Sequence, residues 1–319
     1  MASDILYPLA GKRVWVAGHG GMVGAALVRR LAKEDCEVIT APRGEVDLRR
    51  QDQVERFVTA ARPQAVFLAA AKVGGILAND SRPAEFLYDN LMIEANIIEA
   101  ARRARVEKLL FLGSSCIYPR HAPQPIPEDA LLSGPLEPTN EWYAIAKIAG
   151  IKLAQAYRRQ YLCDFISAMP TNLYGPEDNF DLATSHVLPA LIAKAHAAKL
   201  SGAETLVVLG TGAPLREFLH VDDCADALVH LMKACSQDEH VNVGSAEEIS
   251  IADLATLVAD VVGFRGRIVF DPTKPDGTPR KLMDGAQLRA LGWEPRIGLR
   301  DGLDATYAWY REQAAKRAA

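Results

Sequence analysis

A chain of 319 residues, 49% hydrophobic and 24% charged, can build one large domain or two interlocked ones and has the make-up of an ordinary soluble globule. Its formal net charge of −4 excludes nucleic acid or an anionic membrane as the main partner, yet leaves room for a local basic pocket that receives an anionic ligand. No apolar run approaches the ~20 residues of a membrane span, and Met1-Ala2-Ser3-Asp4 carries no secretory pattern, so a cytoplasmic protein is expected.

In chain order, residues 12–17 read as a buried strand, followed by a glycine-rich turn and a helix over 22–33. Residues 37–40 are the next predicted strand. A helix containing Val54 and Phe57 leads to a strand at 65–70, and a helix containing Ile93, Ile97 and Ile98 leads to a strand at 108–112. A stretch read as helical at 141–147 precedes a strand at 164–169. Strands alternating with amphipathic helices predict an α/β fold, a doubly wound parallel sheet of the Rossmann type.

Beyond Pro170 the rhythm breaks. Residues 175–212 and 250–319 carry helices and proline-containing loops, whereas 216–223 and 241–244 read as strand material returning to the main sheet. The expected division is a nucleotide-binding domain, 1–174 plus 213–249, and a smaller discontinuous α/β substrate lobe, 175–212 plus 250–319. Such a lobe would close over the carboxyl edge of the sheet, where ligands of open α/β sheets bind. The five cysteines (Cys36, Cys116, Cys163, Cys224 and Cys235) are odd in number and show no Cys-x-x-Cys spacing, which predicts free thiols rather than disulfides or a zinc site.

Two motifs carry chemistry by their own composition. Gly18-His19-Gly20-Gly21-Met22-Val23-Gly24 joins the first strand to a helix; its glycines allow a tight turn and close backbone approach to a pyrophosphate. After the second strand the sequence runs Arg43-Gly44-Glu45-Val46-Asp47-Leu48, with arginine ahead of any carboxylate. That order favours the 2′-phosphate of NADP over the free ribose hydroxyls of NAD, the competing reading being that Asp47 or Glu45 swings in. The second motif is Tyr143-Ala144-Ile145-Ala146-Lys147, with Ser114 upstream. On a helix Tyr143 and Lys147 share one face. A phenol ionises near pH ~10, and a fixed ammonium is expected to bring it toward the working range for proton transfer to a sugar oxygen.

Longer strings carry a resemblance. They are Ala69-Ala70-Ala71-Lys72-Val73-Gly74-Gly75-Ile76, Gly113-Ser114-Ser115-Cys116-Ile117-Tyr118-Pro119, Glu137-Pro138-Thr139-Asn140, Met169-Pro170-Thr171-Asn172-Leu173-Tyr174-Gly175-Pro176, Ser185-His186-Val187-Leu188-Pro189, the run 216–223, and the run 274–281. In this order, from about Lys12 to the last helix, the chain resembles the extended short-chain dehydrogenase/reductases that act on nucleotide sugars. Within them it looks like the enzymes that epimerise GDP-4-keto-6-deoxy-D-mannose at C3 and C5 and then reduce it at C4 with NADPH. Cys116 after the paired serines is the most specific element.

The resemblance implies that Ser114, Tyr143 and Lys147 form the reductase triad and that Cys116 and His186 are the acid–base pair of epimerisation. It implies that NADP(H) is held by Gly18 to Gly24, Arg43 to Leu48, Leu112, Gly113, Ser114, Ser115, Lys147, Pro170, Thr171, Asn172, Leu173 and His186. The GDP-sugar would meet Lys194, Leu209, Arg216, Asp276 and Lys281. Many bacterial relatives carry arginine at the position of Gly20, and tryptophan is frequent at that of Leu209, so phosphate and guanine contacts differ here. A homodimer is implied, with Leu91, Ile93 and Ile148 as interface candidates. Related activities on the same motifs are a colitose-type epimerase/reductase and a redox-neutral 4-epimerase with tightly held NAD. A redox-sensing regulator without turnover would be expected to lack the Tyr143 and Lys147 pair.

Overall fold

The computed structural model describes residues 5–274 and 276–318. Met1 to Asp4 of the opening, and Pro275 within the 274–281 run, lie outside the described residues. The strands are β1 (Arg13–Ala17), β2 (Glu37–Ile39), β3 (Ala65–Leu68), β4 (Lys108–Leu112), β5 (Asp164–Pro170), β6 (Asn172–Tyr174), β7 (Thr205–Leu209), β8 (Leu215–His220), β9 (Val241–Val243), β10 (Glu248–Ser250), β11 (Arg267–Asp271) and β12 (Arg280–Lys281). The helices are α1 (Met22–Leu31), α2 (Gln51–Ala61), α3 (Ile76–Ser81), α4 (Pro83–Arg103), α5 (Glu141–Tyr161), α6 (Val187–Ser201), α7 (Val221–Ala234), α8 (Ile251–Val262), α9 (Ala286–Ala290) and α10 (Leu299–Ala318).

The main sheet has six strands in the order β2-β1-β3-β4-β5-β9, and every pairing in it is parallel. Parallel strands need covering on both faces, and the apolar positions provide it. One face is packed by Val54 and Val58 of α2, Ile93, Ile97 and Ile98 of α4, and Ile148 and Ile151 of α5. Leu27 and Leu31 of α1 with Leu228, Leu231 and Met232 of α7 pack the other. A third cluster joins Leu191 and Ile192 of α6 to Leu254 and Val258 of α8 and Leu206 and Val208 of β7, away from the main sheet. Strand order reverses between β1 and β3, which puts the glycine loop and the segment after β3 at the switch point.

Two expectations are corrected. Residues 241–243 do join the main sheet beside β5, but 215–220 do not. β8 instead pairs with β6, β10 and β12 in a separate four-stranded sheet. The edge beside β5 is taken by β9, and the fully buried Glu217 ties β8 elsewhere by accepting from the backbone N–H groups of Ala246 (2.8 Å) and Met283 (3.0 Å). Ile93 and Ile148 are 9% and 8% exposed and sit in the core of the subunit, so they are not interface residues.

Candidate active site

The cofactor end begins at Gly18, whose φ of +91° places it in the left-handed region. A Cβ there would also lie 2.6 Å from the backbone of Ala70, so only glycine lets the first loop close against the segment after β3. Gly21 caps α1, whose first N–H groups face a cleft of about 760 Å³. That volume lies within the range of small-molecule and cofactor sites. Gly18 to Gly24, Arg43, Val46, Asp47, Leu48, Leu112, Gly113, Ser114, Tyr143, Lys147, Pro170, Thr171, Leu173 and His186 all line it.

Four of the expected cofactor residues do not. Gly44 and Glu45 are exposed and lie outside the lining. Ser115 is buried in a short 3-10 turn and lines the adjoining pocket. Asn172 spends its amide on the carbonyl of Glu217 at 2.8 Å.

Asp47 lines the cleft with its carboxylate already engaged. Arg49 grips both its oxygens at 2.9 and 2.8 Å, and that pairing pulls the carboxyl down to about 2. Arg43 stands exposed beside it on the rim. Arg49 was missed in the sequence because nothing local separates it from an ordinary solvated arginine.

Tyr143 and Lys147 are one turn apart on α5, as their spacing predicts. The Lys147 ammonium is buried at 1% exposure and donates to the Leu112 carbonyl at 3.0 Å. It lies 4.6 Å from the centre of the Phe111 ring and forms an ion pair with Glu94 of α4 at 2.9 Å.

The expected lowering of the phenol does not occur: the Tyr143 pKa is raised well above the ordinary value. Burial is the largest cause, then the negative fields of Cys116 and Glu94, with Ser114 opposing. The ammonium that was to lower it lies 6.0 Å from the centre of the phenol ring and is paired with Glu94, which offsets its pull. Glu94 escaped the sequence reading, although a carboxylate among Ile93, Ile97 and Ile98 on an apolar helix face was the available signal.

Cys116 follows Ser114 in the 3-10 turn Ser115–Ile117 and is 8% exposed. Burial pushes its thiol up, opposed first by the charge of Lys281, then by Ser114 and Lys147. His186 is the residue before α6 and borders the cleft. Its pKa is pushed down by the surrounding walls and next by Lys281. The ring remains solvent-accessible along the cleft, so this push is partial while the cleft is open and grows as it fills. Lys281, at the end of β12, is thus within electrostatic reach of both members of the expected acid–base pair. Burial pushes Lys281 itself down, and Cys116 opposes that. Cys116 and Lys281 line the adjoining pocket together with Glu137 and Asn140.

Of the expected sugar-nucleotide contacts, three converge. Arg216 donates to the carbonyl of Asp276 at 3.2 Å, and the Asp276 carboxylate accepts from the N–H and hydroxyl of Thr211 at 2.7 and 2.8 Å. Leu209, 48% exposed, ends β7 just before this turn. Asp276 thereby bridges the loop at Thr211 and the Arg216 side chain of β8. Lys194 reaches only the carbonyl of Val207 at 3.5 Å.

Residues 14–244 match the NAD dependent epimerase/dehydratase family. The chain belongs to that family. Among curated family members it is 63% identical over 302 residues to the GDP-L-fucose synthase of Sinorhizobium fredii, covering 95% of this chain and 96% of the relative. It is 52% identical to the GDP-L-fucose synthase of Escherichia coli, covering 95% and 98%. The crystal structure of a GDP-L-fucose synthetase from Naegleria fowleri bound to NADP is also similar, with a TM-score of 0.89 at 29% identity and 99% of both chains covered.

The cleft fits the dinucleotide that the family name implies. It has a loop that tolerates no side chain at Gly18, a helix N-terminus facing the opening, and a buried oxygen on Asp178 without a hydrogen-bond partner among the described residues. Burial raises the Asp178 carboxyl to about 7, so it enters the neutral range partly protonated and able to donate.

Proposed function

We propose that this protein converts GDP-4-keto-6-deoxy-D-mannose to GDP-L-fucose, first by epimerisation at C3 and C5 and then by NADPH-dependent reduction at C4. The observation that carries the reading is the shared neighbourhood of Tyr143 and Ser114, on the wall of a cleft that suits a dinucleotide, with Cys116 and Lys281 of the adjoining pocket, whose charges act on one another. A plain reductase has no use for a thiol beside its proton donor.

Gly18 to Gly24 and the start of α1 would hold the pyrophosphate, with Arg43 on the 2′-phosphate. When bound, NADPH supplies the hydride for C4. The residues of the chain do the rest. The C4 ketone acidifies the hydrogens at C3 and C5; Cys116 Sγ takes one, and the enolate oxygen is met by the Tyr143 and Ser114 hydroxyls. Lys281 stabilises the thiolate while it exists. His186 returns a proton on the other face, which inverts the centre. During reduction the Tyr143 phenol donates its proton to O4, and its raised pKa keeps it protonated for that step.

Arg216 and Asp276 would take the GDP end, with Leu209 beside the base and Lys194 at the edge. On this reading 1–174 and 213–249 hold the cofactor, 175–212 and 250–319 close over the sugar, and β8 lies at their junction. A cytoplasmic homodimer belongs to the same reading, and Tyr88, Trp142 and Ile145, exposed on α4 and α5, are available for pairing. Among the described residues no helix is long and apolar enough to cross a membrane.

The test is NADPH oxidation with GDP-4-keto-6-deoxy-D-mannose followed by NMR of the product. The expected product is the L-galacto-configured 6-deoxy sugar. A product retaining the original C3 and C5 configuration would reduce the protein to a 4-reductase, and turnover without net NADPH consumption would make it a redox-neutral epimerase.

A further inference from the structure

Glu94 lies mid-way along α4, one turn from Ile97 and Ile98, and is 2% exposed. Burial pushes its carboxyl up, and the charge and hydrogen bond of Lys147 oppose that, so the carboxylate persists there only because a cation stands against it. Its partner is Lys147, and neither Glu94 oxygen has a hydrogen-bond partner beyond that ion pair among the described residues. The ammonium is held from two sides, by Glu94 on α4 and by the Leu112 carbonyl at the end of β4. The space for the carboxylate comes from Gly150, one turn beyond Lys147, where a Cβ would stand 2.8 Å from Glu94 Oε2. Helix α5 thus carries the phenol at 143, the ammonium at 147 and a gap at 150 on one face.

We propose that Glu94 is a positioning residue for Tyr143 and Lys147: it fixes the Lys147 ammonium on the cleft floor and sets the charge field in which Tyr143 gives up its proton. The inference rests on the reductase reading, which makes Tyr143 the donor to O4.

The groups facing Tyr143 come from three elements: Lys147 on its own helix, Glu94 on α4, and Ser114 and Cys116 on the segment after β4. Lys281 of β12 acts at one remove, through Cys116. The Phe86 ring of α4 stands edge-on to the phenol at 6.4 Å and adds no charge. An unpaired ammonium below the phenol would draw it toward phenolate, which has no proton to give. Glu94 offsets that pull while holding Lys147 where it packs. The site is thereby biased toward reduction, because the phenol enters each turnover carrying the proton that the alkoxide needs.

The experiment is the pH profile of kcat for C4 reduction at saturating NADPH and GDP-keto sugar, for the wild type and Glu94→Gln. The glutamine keeps the shape and removes the charge. The wild-type rate is expected to hold to the alkaline edge of the enzyme's stability. In Glu94→Gln the alkaline limb moves down by about one pH unit or more, kcat at neutral pH falls about tenfold, and both KM values stay within about twofold. Glu94→Asp, which restores the charge on a shorter stem, returns the limb toward wild type while kcat stays low.

A Glu94→Gln enzyme that binds NADPH normally with an unmoved limb overturns the proposal. Should Glu94→Gln fail to fold, Glu94→Asp decides: wild-type kcat in that variant overturns it, and a lowered kcat with a retained limb and unchanged KM supports it. A wild-type enzyme that oxidises no NADPH with any GDP-4-keto sugar defeats the reductase reading and this inference with it. An active wild type beside an unmoved variant limb defeats the inference alone.

Discussion

Replacing Arg43 by alanine should change which nicotinamide cofactor the protein prefers, and the geometry sets the size of the effect. Arg43 stands exposed on the rim of the cleft. The carboxylate that could otherwise take free ribose hydroxyls, Asp47, is gripped by Arg49 through contacts of 2.9 and 2.8 Å. That pairing holds its pKa at about 2, so it stays ionised and engaged throughout the neutral range.

A charge-assisted hydrogen bond contributes about 1.5–3 kcal/mol when shielded from water. Exposure screens Arg43, so the lower end applies, and about 1.5 kcal/mol is close to tenfold in kcat/KM for NADPH. NADH has no 2′-phosphate to lose, and its kcat/KM should change by less than about twofold. Initial rates with each cofactor below saturation measure both numbers, and the NADPH penalty should shrink as salt is raised. An equal loss with both cofactors would mean that Arg43 supports the loop rather than the phosphate. A 2′-phosphate preference that survives the substitution would remove Arg43 from cofactor selection.

Tyr143→Phe should lose ~10²–10⁴ in NADPH-dependent reduction with NADPH binding preserved; equal loss of both in calorimetry and kinetics would mark a structural tyrosine. Cys116→Ser should slow entry of solvent deuterium at C3 and C5 about a hundredfold, while an already epimerised keto sugar is still reduced. Exchange at the wild-type rate would take Cys116 out of the mechanism. Lys281→Met gives a signed pH test. The Lys281 charge lowers both the thiol and the imidazole, so its removal raises both and both limbs of the exchange-rate profile move to higher pH at saturating substrate. Limbs that stay put, or move in opposite directions, would show that Lys281 does not act on this pair.

Short-range pattern alone determined the parallel sheet, the glycine turn at its switch point, and the placing of Tyr143 and Lys147 on one helix face. Each depends on residues within a few positions of one another, where 2.0- and 3.6-residue periodicity is legible. The prominence of Cys116 and His186 rested on longer strings read as a resemblance, and the fold sets both within reach of Lys281.

Tertiary structure decided what the local pattern left open. It put β8 into a second sheet, because β9 occupies the edge beside β5 and Glu217 anchors the strand to distant backbone. It paired Asp47 with Arg49 on the wall of the cleft. It also outweighed the expected effect of Lys147 on Tyr143: burial pushes the phenol up, the fields of Cys116 and Glu94 add to it, and Glu94 arrives from another helix to pair with the ammonium. A charge can be read from the chain; its field at a reacting atom depends on which opposite charge folding brings beside it, and how much water folding takes away.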